Sequence, residues 1–418
     1  MAWRSRLLGV LLLLLAGPAF GQALPVFSPD GPDAAGYGAA EGYPLGKPGP
    51  DMDRQRNLVG SYSHYDTILA ARMVPRAASP SPLARAAREI ALSYPHQGRS
   101  QTIASYLDRQ PATGLLIARD RTILLERYRY GRTDALRLTS QSMAKTITAM
   151  LVGIAIAEGA IASVDDAASL YVPELAGREL GRTPIRALLH MASGLAYSET
   201  YDGTDDASKL NRELWRPDTP GPAAALAQFN TRAAEPDTRW YYAGMNTELL
   251  GLILTRATRM PLADYFATRI WRKIGAEADA SWVIDASGQE AAFCCVSAVL
   301  RDWGRLGMLL ANDGAWDGVQ VIPRQWLLDA TTAMPAGHFL APGTMTRFYG
   351  YGYQVWLLPG GRRQFALLGI HGQTLLVDPG SKLVLVHTAV RVRATGDPMA
   401  GELISLWNAL VAQEGMAP

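Results

Sequence analysis

The run Ser140-Gln141-Ser142-Met143-Ala144-Lys145, continuing from Thr146 to Gly159, constrains this chain more than any other stretch. It predicts a helix with Thr139 or Ser140 as N-cap, because a hydroxyl there can accept hydrogen bonds from the first orphan amides. Met143, Ala144, Ile147, Met150, Leu151, Ile154 and Ile156, with small Ala149, Gly153 and Ala155 between them, make the helix apolar on nearly every side. Such a helix belongs at the centre of a domain. Gly159 can take the left-handed conformation that ends helices. Into the first turn of this rod the sequence puts Ser142 and Lys145, whose i,i+3 spacing gives them a shared face.

That placement has chemical consequences. A serine hydroxyl is a poor nucleophile until something takes its proton. Burial disfavours a charged amine, so a lysine in apolar surroundings can serve as that acceptor. An N–H near the helix start has no partner inside the helix and, aided by the helix dipole, can stabilise an oxyanion. Alone, Ser-x-x-Lys is a weak pattern, and most occurrences are ordinary helix starts with a solvated lysine. Here lysine is scarce: Lys47, Lys145, Lys209, Lys273 and Lys382 stand among 40 Lys+Arg, and only Lys145 follows a serine at that spacing.

A chain of 418 residues can bury a large core and make two lobes. A net charge of +2 with no basic block gives no sign of a nucleic-acid partner. Arg4 and Arg6, the apolar run Leu7 to Leu15 and the small residues that follow read as a secretory signal over residues 1–23, cut after Gly21 or Ala23. That run is too short to span a bilayer, so a soluble secreted or periplasmic protein is expected, with no stable membrane span. The two cysteines, Cys294 and Cys295, are adjacent, and a buried thiol pair is expected over a vicinal bridge. The histidines are scattered, which predicts no metal site, and nothing implies a cofactor.

Residues 24–96 read as an N-terminal arm and extension, flexible or draped, and rich in Gly and Pro up to Arg56. Thr113 to Ala118 and Thr122 to Tyr130 predict a hairpin. Residues 166–290 are mostly helical in period, with helices at 185–191, 249–257 and 262–274. A helix is expected at 296–311. Short β-rich runs at 352–358, 365–368, 374–377 and 383–388 predict an antiparallel meander, closed by a helix at 398–412. The pattern implies an α/β lobe from residues 97–165 and 291–418 with a helical lobe, 166–290, inserted. A site would lie between them.

Two further constellations carry chemistry. In Arg239-Trp240-Tyr241-Tyr242-Ala243-Gly244-Met245-Asn246-Thr247 a helix starts near Asn246, and Tyr242 stands in the loop before it. A tyrosine there can relay a proton between nucleophile and leaving group, helped by a nearby cation that lowers its pKa. Gly369-Ile370-His371-Gly372-Gln373-Thr374 lies at the start of a strand, where a backbone N–H can serve as a second oxyanion donor. Read singly, the tyrosines are packing aromatics and the glycine run is a turn; His190 is expected to be structural.

The three motifs in this order resemble the penicillin-recognising serine hydrolases, which include class C β-lactamases, DD-peptidases, EstB-type esterases and 6-aminohexanoate-dimer hydrolases. The likeness runs from about Pro111 to the end and is nearest to the last group. Leu188-Leu189-His190-Met191-Ala192-Ser193-Gly194, Arg301-Asp302-Trp303-Gly304-Arg305-Leu306-Gly307 and Val377-Asp378-Pro379 support it. The resemblance implies an α+β, β-lactamase/transpeptidase-like fold: an antiparallel sheet flanked by helices with an inserted all-helical lobe. It implies Ser142 as acylated nucleophile, Lys145 as base and Tyr242 as relay. It implies the N–H groups of Ser142 and Gln373 as oxyanion hole, and Asn246, His371 and Gly372 as substrate contacts. The chain departs from the pattern in two places. Gly244 stands where many relatives have Asn or Ser, and Ile370-His371-Gly372 replaces Lys-Thr-Gly. The second change removes a lysine that would pair with a β-lactam carboxylate, and so favours another small amide or an ester as substrate. A β-lactamase or DD-peptidase-like enzyme, or a penicillin-binding sensor without turnover, is the alternative. Oligomeric state is left open.

Overall fold

The computed structural model describes residues 22–415; most of the expected signal segment lies outside them. The fold is built on a sheet whose long strands are Thr122–Tyr128, Ala112–Arg119, Leu383–Ala389, Gln373–Asp378 and Phe365–Gly369, in that spatial order and antiparallel throughout. These strands are apolar at nearly every position because both faces are covered, so the alternation of side chains divides two cores rather than core from solvent. Leu116, Ala118, Leu375, Val377, Val384 and Val386 face the larger core. Leu115, Ile117, Leu376, Leu383 and Leu385 face a second core made with Leu403, Leu406, Trp407 and Leu410 of the terminal helix Ala400–Glu414.

Helix Leu300–Ala311 covers the first face. Its Arg-Asp-Trp-Gly-Arg-Leu-Gly run is structural. A Cβ at Gly307 would lie 2.5 Å from Val384 Cγ1, and one at Gly304 3.0 Å from Leu116 Cδ2, so the glycines let the helix sit down on the sheet. Asp302 accepts from the N–H groups of Glu277 and Ala278 at 2.9 and 3.0 Å and from Arg305 at 2.7 Å. Arg301 reaches the buried Glu126 at 2.7 Å. Asp378 likewise holds Arg362 at 2.7 Å and the Gly380 N–H at 3.0 Å, closing a turn.

The central helix runs Ala144–Ala157 after a 3-10 turn at Gln141–Met143, and twelve of its residues are buried. Gly159 ends it at φ 75°, as expected. The expected cap is not made. Ser140 Oγ donates to Gln141 O and accepts from Val296 N–H at 3.0 Å, which ties the turn to the neighbouring strand instead. That strand, Val296–Ala298, pairs with Leu138–Thr139, so the predicted helix at 296–311 starts only at Leu300. A short apolar run is ambiguous in period, and sheet pairing decides it here.

Helices between residues 185 and 271 pack on the central helix from its other side in one continuous core with the sheet. The helix expected at 249–257 begins at Gly244 and ends at Thr258. The one expected at 262–274 is a short α-helix, Leu262–Phe266, followed by a π turn, Ala267–Trp271. The arm is draped rather than flexible. Val26–Phe27 and Ala84–Arg85 pair parallel with Thr122–Tyr128, so the sheet is mixed at this edge rather than purely antiparallel. Tyr37 and Tyr43 pack on Tyr130 at 5.5 and 5.8 Å, and the Tyr37 hydroxyl donates to Val390 O at 2.6 Å. Tyrosines thus anchor a segment whose glycines and prolines suggested looseness.

The central helix has no room for added volume at Gly153, where a Cβ would lie 2.3 Å from Trp326 Cγ while the Trp326 indole N–H donates to Ala149 O at 3.1 Å. Gly153→Ala is expected to destabilise the protein by about 1–3 kcal/mol through overpacking, despite the better helix propensity of alanine. Urea unfolding of the two proteins measures this.

Candidate active site

Lys145 is 2 % exposed, while Ser142 in the preceding turn is half-buried. Lys145 Nζ donates to Ser142 Oγ at 2.9 Å and to the Phe293 carbonyl at 2.9 Å. It lies 5.0 Å from the ring centre of Tyr242 and 5.6 Å from that of Phe293. Burial lowers its pKa from 10.5 to about 8, against the opposing pull of Glu199 and Glu248. Roughly a tenth of the amine is therefore neutral at pH 7, far more than for an ordinary lysine.

Tyr242 completes the group, with a correction to its expected electrostatics. Burial and the Glu199 carboxylate raise its pKa well above that of a free phenol, and a hydrogen bond with Ser142 pulls the other way without prevailing. The neighbouring ammonium faces the ring rather than dominating the hydroxyl. The phenol therefore keeps its proton, and the site holds one group tuned to accept a proton and one tuned to keep it. The Tyr242 ring is stacked on Trp356 at 5.6 Å, in an aromatic bed with Trp240 and Tyr351. Its loop is fixed by Met191, whose carbonyl accepts from Tyr241 N–H at 2.8 Å and whose sulfur accepts from Ala243 N–H at 3.4 Å. The Leu188–Gly194 motif thus supports the tyrosine loop. His190 is structural, as expected, with Nδ1 2.6 Å from Asp237.

The third motif is only partly at the site. The strand pair Phe365–Gly369 and Gln373–Asp378 packs beside the Gln141–Met143 turn, so close that a Cβ at Gly369 would lie 2.5 Å from Ser140 O. This brings the start of the Gln373 strand next to Ser142. The Gln373 side chain is spent on Ala389, donating to its carbonyl at 2.6 Å and accepting from its N–H at 3.2 Å. His371 does not serve as the expected substrate contact. It is buried, Nδ1 lies 2.6 Å from Arg391 O, and Nε2 faces Asp53 of the arm at 3.9 Å. Its positive φ of 59° turns the ring away, onto Tyr62. Gly372 is also backbone architecture: φ is 95°, and a Cβ would press on Ala389 and Arg391 at 3.1–3.2 Å. Asn246 is buried in the first turn of its helix; Nδ2 approaches Met191 sulfur at 3.7 Å and Oδ1 has no partner among the described residues.

Besides Phe293, three participants escaped the sequence reading. Glu199 accepts from Gly244 N–H and, at 2.7 Å, from Tyr201 hydroxyl. A Cβ at residue 244 would lie 3.2 Å from its Oε2, so the carboxylate occupies the volume into which a side chain there would grow. Glu248, fully buried, has its pKa raised to about 8 by desolvation and by Asp285. Gln354 binds the supporting elements together. Its amide donates to Leu188 O at 2.7 Å and accepts from Thr247 hydroxyl at 2.7 Å, and its carbonyl accepts from Thr146 hydroxyl at 2.6 Å. The only sequence signal was position: Glu248 stands two residues after Asn246.

Cys294 and Cys295 form a vicinal disulfide, not the expected thiol pair; the Cα atoms are 3.7 Å apart and Cys295 has φ 71°. Among the described residues no group of three His, Cys, Asp or Glu is arranged to hold a metal ion, and no helix is long and apolar enough to cross a membrane.

Comparison with known proteins agrees with the geometry. A 6-aminohexanoate-dimer hydrolase from Paenarthrobacter ureafaciens is 28% identical over 286 residues, covering 67% of this chain and 73% of that protein. A solved structure from Bacillus anthracis, provisionally named a 6-aminohexanoate-dimer hydrolase, superposes with a TM-score of 0.76 at 22% identity, covering 88% of this chain and 97% of that one. EstCE1, described as a hydrolase with promiscuous acyltransferase activity, superposes at 0.58 with 14% identity, over 72% and 93% of the two chains. The β-lactamase family model matches residues 100–400, and with a serine, a buried lysine and a buried tyrosine gathered at the head of its central helix, the chain belongs to that family.

Proposed function

We propose that the protein is a serine hydrolase that cleaves a small amide or ester through an acyl-enzyme on Ser142. The observation that carries this reading is Lys145: an amine whose pKa is brought to about 8 by burial, 2.9 Å from a serine hydroxyl. In acylation, Ser142 Oγ bonds to the substrate carbonyl carbon as its proton passes to neutral Lys145. The oxyanion is held by the backbone N–H groups of Ser142 and Gln373. Collapse breaks the bond to the alcohol or amine, which leaves with the proton of Tyr242, and Lys145 returns a proton to the tyrosine. Water then attacks the ester by the same relay in reverse. The high pKa of Tyr242 suits it to donate rather than to wait as a phenolate.

The relatives' names place 6-aminohexanoate dimers, linear amides, among the substrates worth testing. The geometry speaks against β-lactams: Ile370-His371-Gly372 offers no free cation, since His371 is turned onto Arg391 and Asp53. We also propose export. The disulfide supports this reading, since such bonds form and persist mainly in oxidising compartments. Ala23 is buried, its N–H donating to Ala86 O and its carbonyl accepting from Arg85, which favours the cut after Gly21.

Two chain variants and one pH series test this. A fluorophosphonate should label Ser142 in the parent and not in Ser142→Ala, which should also lose p-nitrophenyl ester hydrolysis; an alanine variant working at the parent rate overturns the reading. Tyr242→Phe should lower kcat by about 10²–10⁴-fold. The acid limb of kcat/KM should rise through about pH 8, as Lys145 loses its proton. Turnover of nitrocefin in preference to esters and linear amides would establish the β-lactamase alternative, and binding without turnover of any of them the sensor alternative.

The same lysine should cost stability. Its folded pKa of about 8 lies below the 10.5 of an ordinary lysine, so between these values the unfolded chain binds more protons. Stability attributable to this group rises with pH across that window, and the penalty is full below it. Lys145→Met is therefore expected to raise the unfolding free energy at pH 7 by about 1–3 kcal/mol, a gain that fades by pH 11. Denaturant melts at the two pH values check the sign.

A further inference from the structure

The segment Ala292–Val296 crosses the catalytic lysine as a strap, and every residue in it is tied down. Ala292 N–H donates to Glu248 Oε2 at 3.0 Å, and its carbonyl accepts from Thr148 hydroxyl at 2.9 Å. The Phe293 carbonyl takes Lys145 Nζ at 2.9 Å while its ring lies over the same amine at 5.6 Å. The Cys294 carbonyl accepts from the Trp282 indole at 3.1 Å, Cys295 N–H donates to Gln141 O at 3.3 Å, and Val296 N–H donates to Ser140 Oγ at 3.0 Å. The strap thus bonds to both residues before Ser142 and to the lysine beyond it.

The disulfide sits in the middle of this strap. Bridging adjacent residues encloses one peptide unit in a small ring, which fixes the backbone immediately after Phe293. Cys295 has φ 71°, a left-handed conformation uncommon for a non-glycine residue. Both cysteines are buried, Cys294 8 % and Cys295 6 % exposed, at the edge of the core formed with the N-terminal arm.

We propose that the Cys294–Cys295 ring is a positioning element for Lys145. It pins the Phe293 carbonyl and ring over the amine, and opening it loosens the strap and admits water to the lysine. A dithiol opens the ring in two steps. One of its thiolates attacks a cysteine sulfur, breaking the S–S bond and forming a mixed disulfide; its second thiolate then displaces that cysteine. Two electrons and two protons pass to the cysteines, and the reductant leaves as a cyclic disulfide. The groups facing the amine remain in place: Ser142 on its own element, Tyr242 and Glu199 from the loops, and Glu248 from the next helix, backed by Asp285 and Glu290. With these unchanged and water admitted, the amine holds its proton to higher pH. The effect on rate rests on the hydrolase reading; the effect on the lysine does not.

The test uses the mature protein with ¹³C at lysine Cε. There are five lysines, so five resonances, and Lys145→Met identifies the one needed. The titration is followed before and after dithiothreitol, with ring opening confirmed by iodoacetamide mass shift on a quenched sample. Reduction should move the Lys145 midpoint up by about one pH unit and lower kcat/KM for an ester at pH 7 by about tenfold with KM unchanged. Cys294→Ser/Cys295→Ser should match the reduced protein and ignore dithiothreitol. An unmoved midpoint after confirmed reduction overturns the inference. So does an equal response to dithiothreitol in the double variant. A moved midpoint in a protein that turns over no ester or amide upholds the inference and overturns the hydrolase reading.

Discussion

The structure depends on keeping one amine dry. Lys145 lies on a helix that is apolar all round, between the sheet and the helices between residues 185 and 271, and among the described residues its Nζ hydrogen-bonds to Ser142 and the Phe293 carbonyl. An ammonium in such a place is costly, and the protein lessens the cost without abolishing it, using the Tyr242 and Phe293 ring faces and two carboxylates behind them. The remainder is what makes the amine a base. Elements distant in sequence serve this end: Gln354 knits the central helix to the tyrosine helix and to residues 188 and 189, and Met191 hangs the tyrosine loop from the same corner. A polar residue like Gln354 at the centre of a core is tolerated because every one of its hydrogen-bonding groups is used.

Much of this was legible in the sequence, and for a physical reason. The central helix could be read because its environment is the same on all sides, so no tertiary information was needed to place it. The hairpin and meander were legible because their turns carry Asp-Arg and Pro-Gly signals, and Asp120 and Arg121 do take positive φ. Ser142 and Lys145 stood out because the chemistry proposed for them demands particular types at helix spacing. Glu199, Phe293 and Gln354 were not legible because each acts through a contact formed only by folding: Glu199 through a backbone N–H 45 residues away, Phe293 through a lysine 148 residues away. No local pattern marks a carbonyl as a lysine's partner. The helix expected from Val296 failed for the reverse reason, since three residues carry no period and the pairing with Leu138–Thr139 settled them. The histidine at 371 looked like a site residue by position, yet one positive φ sends its ring to the arm. Whether adjacent cysteines are joined is likewise not written in their spacing.

Arg301 to Gly307, one of the stretches that supported the family resemblance, is a joint. Its glycines seat a helix on the sheet and its charges link Glu126, Glu277 and Asp302 in a buried network. Such a network is costly to break and adds little over an apolar replacement, but it fixes the docking angle of the helix. Since the strand Val296–Ala298 leads directly into that helix and the strap over Lys145 leads into that strand, docking errors at the joint would reach the site through a few residues of extended chain.

The replacement at Gly244 can now be understood as an exchange of groups rather than a loss. A side chain at this position would contest the volume of the Glu199 carboxylate, which instead takes the Gly244 N–H and the Tyr201 hydroxyl and lies within electrostatic reach of both Lys145 and Tyr242. A neutral hydrogen-bonding side chain on the tyrosine loop would leave both pKa values to burial alone. An anion arriving from the opposite loop acts on both in the same direction, raising them: it tempers the fall in the lysine and adds to the rise in the tyrosine. The gap between proton acceptor and proton donor is therefore set chiefly by desolvation, which lowers one and raises the other, while the carboxylate moves the pair together along the pH axis. Substituting Glu199 would change where on that axis the site works more than whether its two members differ.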